Sequence, residues 1–127
     1  MAFGDIGGAV TELVITCSTP KEGNVSIEKG DALCLVENYE VNNHSPYFRK
    51  LFGQSLASTD ENARAIPVKV RGICIFTYGG AFTPDVDGSQ GVRMGGITGQ
   101  VEVPPDLEGK GINVKVDEEK KEVHVLL

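Results

Sequence analysis

Tryptophan is absent from this 127-residue chain, aromatic residues make up 6% of it, and cysteine occurs three times. Each shortage excludes something. Binding of nucleic-acid bases or sugars by stacking needs several exposed rings on one sheet face. Tyr47, Phe48 and Phe52 are the one cluster available, and a core is the ordinary home of such residues. Cys17, Cys34 and Cys74 are odd in number, far apart and each inside an apolar or alternating run, which suits buried free thiols rather than bridges or metal ligands. Clusters of Lys and Arg are missing as well, and the net charge is −6. Affinity for phosphates rests on such clusters, so no nucleic-acid partner is expected. No run approaches the roughly 18 apolar residues of a membrane-spanning helix, and MAFGDIGGAV lacks the basic and apolar regions of a secretory signal. No membrane partner is expected either, and the chain reads as cytosolic where it is made.

What the chain does contain is glycine and proline, 16 and 6 residues respectively, with 40% hydrophobic residues. That composition tilts a one-domain length toward strands and turns. Residues 1–9 are Gly-rich without periodic signal and read as a flexible N-terminal arm; residues 10–127 read as a single β domain. VTELVITC is the first strand, ALCLVENYEV a nearly continuous buried one, and YFRKLFGQSL a strand bent at Gly53. STDENARA offers Ser58 or Thr59 as the N-cap of one short helical turn. INVKV and EVHVLL read as a terminal hairpin with Ile112, Val114, Val116, Val123, Val125 and Leu127 inward and Asn113, Lys115 and His124 outward.

The strongest strand signal is IPVKVRGICIFTY, residues 66 to 78. Even positions form one apolar face, while odd positions change from Pro67, Lys69 and Arg71 to Ile73 and Ile75. Thirteen extended residues reach roughly 40 Å, too long for a flat strand in a domain of this size. Gly72 is therefore the expected corner, where the strand leaves a sheet with one wet face and enters a region covered on both sides, by the same chain or by another subunit.

Motifs of chemistry are faint. Gly53, Ser55 and Ala57 have the spacing of a nucleophile elbow, but no βα alternation surrounds them. DVDGSQG resembles half a calcium loop, yet Gly96 stands where the closing acid belongs. His44 has no partner at metal-ligand spacing, and the later Gly-rich runs lack the Lys and helix of a phosphate loop. The reading is of a protein without catalytic residues, cofactor or metal.

The order IEKGDAL, KLFGQSLAS, IPVKVRGICIF, FTPDVDGSQGV, GITGQVEV and EVHVLL, from about Ser26 onward, resembles the small phage head proteins known as capsid cement or decoration proteins. The resemblance implies an all-β, small single-domain β-barrel or β-tulip with at most one short helix and no enzyme activity. It implies a homotrimer on the outer virion head surface of a phage or prophage, made in the bacterial cytoplasm and clamping the major capsid protein to stabilise the shell. Ile73, Ile75, Phe76 and Tyr78 are then the candidate subunit interface. Phe3, Asp5 and Ile6 of the arm, with Phe82, Asp85 and Asp87 of the loop from Gly79 to Gly91, are candidate capsid contacts. Two alternatives stay open: a small barrel binding oligonucleotide or sugar, and an enzyme whose site forms between subunits from Asp85, Asp87 or His124.

Overall fold

The computed structural model describes residues 12–20, 25–44, 50–59, 64–86, 91–105 and 109–127. The arm 1–9 and the helical turn expected at 60–63 lie outside them. Among the described residues there is no helix, so the all-β expectation holds.

Five strands, β1 (Leu13–Ser18), β2 (Ala32–Glu37), β3 (Glu40–Asn42), β4 (Gly53–Ser55) and β5 (Ala65–Arg71), close a barrel in the order β1-β3-β2-β4-β5. Alternate side chains point inward: Cys17, Leu33, Val41, Ile66 and Val68 pack inside with Ile27. β2 and β3 are joined through Asn38 and Tyr39, where Tyr39 takes φ 58°, a conformation that costs a bulky residue strain. Pro67 is tolerated in mid-strand because its carbonyl, and so its missing N–H, faces Leu56 just beyond the end of β4.

β6 (Ile73–Thr77) follows β5 after one residue and belongs to a different sheet, of order β6-β10-β9, with β9 (Ile112–Asp117) and β10 (Glu122–Leu126). The residue between is Gly72, with φ +112°, a value L side chains avoid. The long strand does turn its corner there. Its even register is the buried one: Ile66, Val68, Cys74, Phe76 and Tyr78 are all core residues. In the odd register Ile73 is half-buried and Ile75 exposed, so the described chain does not by itself supply the covering on both sides.

A short hairpin, β7 (Arg93–Met94) with β8 (Val101–Glu102), closes the second core. Met94 and Val101 meet Ala32, Cys34, Cys74, Phe76, Val123 and Val125. β2 thus separates two cores, Leu33 facing the barrel and Ala32 and Cys34 the sheet. Complete burial of Phe76 alone is worth about 1.5–3 kcal/mol of transfer free energy. The Gln54 side chain also ties the two halves, donating to Ile75 O at 2.6 Å and to Gly30 O at 3.2 Å.

Two sequence expectations are corrected. Gly53 does not bend a longer strand: it is the first residue of β4, where a Cβ would sit 2.6 Å from Lys69 O and 2.7 Å from Val68 Cγ1, so glycine there permits close approach of β5. The terminal hairpin forms, but its ladder shifts between His124 and Val125, pairing Lys115 with His124 and Asn113 with Val125. The extra residue, Val114, is a bulge, and it inverts the faces of the first half of β9. Asn113 is therefore buried and Ile112 and Val114 exposed, opposite to the alternation read from INVKV.

Candidate functional site

The bulge and the corner together expose apolar side chains on one sheet face. On the outer face of the β6-β10-β9 sheet, Ile73, Leu126 and Ile112 stand in one cross-strand row. The next row is Ile75, His124 and Lys115, beside Val114, and the third is Thr77, Glu122 and Asp117. Ile75 is 45% exposed, Ile112 48%, Val114 46% and Leu126 42%. Ile73, Leu126 and Ile112 thus make an apolar row that extends to Ile75 at one end and Val114 at the other, with His124 and Lys115 between those two and a polar row beyond; exposed apolar side chains grouped in this way mark association surfaces more often than scattered ones do.

Of the four candidate interface residues, Ile73 and Ile75 lie on this face. Phe76 and Tyr78 do not: they belong to the even register and are buried in the second core, so they are corrected from contact to core residues. Ile112 and Val114 join the face unforeseen, since a β-bulge leaves no mark in alternation, and Leu126, outward by alternation with Val125, joins it through the sheet order.

Among the capsid-contact candidates, Phe3, Asp5, Ile6 and Asp87 fall outside the described residues. Phe82 is 71% exposed, in a shallow pocket with Pro105 and the Arg93–Glu102 ion pair of 2.6 Å. Asp85 is exposed, and its carbonyl accepts a 2.9 Å hydrogen bond from Asn113 Nδ2. Buried Asn113 thereby fastens this loop to the inner side of β9. His124 lies on the outer side of the same sheet, so a chain does not present Asp85 and His124 on one face.

The remaining chemistry resolves into structure. Ser55 is buried in β4 and its Oγ donates to Ala57 O at 2.6 Å, a closed local turn instead of an exposed nucleophile. No group of three or more His, Cys, Asp and Glu capable of holding a metal exists among the described residues. None of the three cysteines forms a disulfide, and all are buried. Burial pushes the Cys74 thiol up to about 11, against a smaller opposing pull from Lys69, and raises Cys17. Lys110 is lowered by its own burial and then by Arg71, while its Nζ donates to Phe52 O at 3.0 Å and lies 5.8 Å from the Phe52 ring centre. Phe52 is half-buried against the barrel core; Tyr47 and Phe48 are outside the described residues. No family model, curated protein or solved structure matches this chain.

Proposed function

We propose that this chain is the decoration, or cement, subunit of a phage or prophage head, assembling as a homotrimer on the outer surface of the shell and stabilising it by bridging major capsid subunits. The observation that carries the reading is the bare apolar face of the three-stranded sheet, with Ile75, Ile112, Val114 and Leu126 exposed in each single copy. A patch of this kind is disfavoured in water unless another chain covers it. Repeated copies that share such a face, each adding a modest contact to a shell, gain affinity through effective concentration. The order of sequence segments adds the resemblance to head-decoration proteins, and the acidic net charge of −6 fits a partner made of protein rather than nucleic acid. The loop bearing Phe82 and Asp85, fixed to the sheet by Asn113, offers a further exposed contact.

The test is co-sedimentation of the purified protein with expanded heads of the phage or prophage whose genome carries it, assembled without it. Saturable binding at threefold positions supports the proposal. Absence of binding to expanded heads refutes it.

A further inference from the structure

Among the described residues the barrel is closed between β1 and β3 by a single pair. β1 is paired along its whole length with β5, but β3 meets it only at Ser18 and Glu40. The backbone of β1 before Ser18 thus has no strand on its second edge among the described residues. The orientation of that edge is fixed twice over. Ser18 N donates to Tyr39 O, toward β3, and alternate residues of a strand present their N–H and C=O in the same lateral direction, so those of Thr16 and Val14 point the same way. Pro67, opposite Thr16 across the ladder, has its carbonyl turned to Leu56 on the far side, as a non-hydrogen-bonded pair requires.

Beside this edge lies a groove of about 550 Å³ lined by Ile15, Leu35, Val36, Tyr39 and Phe52 together with Glu37 and Asn38. Tyr39 is 69% exposed and holds the left-handed φ of 58°, where glycine is the unstrained choice. A strained aromatic held in solvent beside an apolar groove is unfavourable for the free chain, and such outliers concentrate at ligand clamps.

We infer that the open edge of β1 and the adjoining groove form a strand-addition site, taking one extended segment of a partner protein whose alternate side chains are apolar. Main-chain bonds to Val14 and Thr16 supply affinity, and side chains entering against Ile15, Leu35, Tyr39 and Phe52 supply selection. The net charge of −6 favours a segment flanked by Lys or Arg. This inference does not depend on the partner being a capsid subunit.

The test selects end-blocked twelve-residue peptides from a random library on the intact protein and measures their binding to three forms. Thr16→Pro removes an amide facing the open edge without touching the β5 ladder, and Leu35→Asp charges the groove at an exposed position. Expected are peptides with apolar residues at alternate positions, binding at least tenfold more weakly to each variant, with the Thr16 amide slowed in hydrogen exchange on binding. Equal binding to Thr16→Pro shows a groove for side chains alone and overturns the inference, as does equal binding to Leu35→Asp. If Thr16→Pro fails to fold, the Leu35→Asp and exchange results decide. Peptides that bind only after removal of residues 1–11 assign the site to the chain's own terminus. A dimer dissolved by Leu35→Asp assigns it to a second copy. Either of those results, or a library yielding no binder, overturns it too.

Discussion

Alanine in place of Gly72 tests the corner on which the two-sheet arrangement depends. At φ +112° the backbone is where an L residue is strained, a cost of about 1–3 kcal/mol. The new Cβ would lie 3.0 Å from Glu12 Cγ and 3.0 Å from Lys69 Cε. These are flexible side chains that move aside, at the expense of the 2.7 Å Lys69–Glu12 ion pair and the 2.7 Å bond from Lys69 Nζ to Ile73 O. The pair is partly exposed and worth at most about 1 kcal/mol. The expected loss is therefore about 2–4 kcal/mol, or a fall in Tm of roughly 8–15 °C for a domain of this length. Two controls separate the contributions in urea denaturation. Gly30→Ala has φ +96° and open space around it, so it carries the conformational cost alone, about 1–2 kcal/mol. Gly96→Ala has neither crowding nor a left-handed backbone and should stay within about 0.5 kcal/mol of the parent. A Gly72→Ala protein as stable as Gly96→Ala would refute the reasoning, because the strand would then pass between the sheets without needing glycine.

Further outcomes follow from the same geometry. Asn113→Ala should destabilise by about 1–3 kcal/mol and speed proteolysis near Asp85, whose carbonyl loses its 2.9 Å donor; an unchanged cleavage rate would show the loop is held otherwise. Tyr39→Gly should stabilise the free protein by about 1 kcal/mol by relieving the left-handed φ while weakening strand addition, read by urea denaturation and peptide binding together. Stability should also decline in alkali. The Cys74 thiol keeps its proton to about 11 when folded against an ordinary 9.0, so the unfolded chain binds fewer protons between those values. The stabilisation is complete below about pH 9 and is lost toward pH 11, on the order of 2 kcal/mol, with Cys17 shifted in the same direction. Cys74→Val should flatten the decline between pH 8 and 10.5; an equal slope in the variant would assign it to other groups.

Alternation within IPVKVRGICIFTY was enough to locate the buried face from Ile66 to Tyr78 and the corner at Gly72, since both are local properties of side-chain parity and a missing Cβ. Parity failed where pairing is non-local. The bulge at Val114 is defined by its partner strand β10, and nothing in INVKV distinguishes a strand with it from one without. Gly53 looked like a bend because glycine serves bends and close approaches alike, and only the position of Lys69 decides between them. The face carrying Ile73 and Ile75 was visible as a change of character, but its extension to Ile112, Val114 and Leu126 required the sheet order. The open edge of β1 depends on β3 being too short to cover it, a fact of topology that ENYEVN alone does not carry.

Light scattering with sedimentation equilibrium, on the parent protein and on Ile75→Asp/Leu126→Asp at tens of micromolar, tests the central claim most directly. Ile75 and Leu126 are 45% and 42% exposed in a single copy, so charging both should cost that copy no more than about 1–3 kcal/mol and leave it folded. The parent should have the mass of three 13.6 kDa chains and the variant that of one. A parent that remains monomeric, or a variant that stays trimeric with its sheet face charged, would contradict the account.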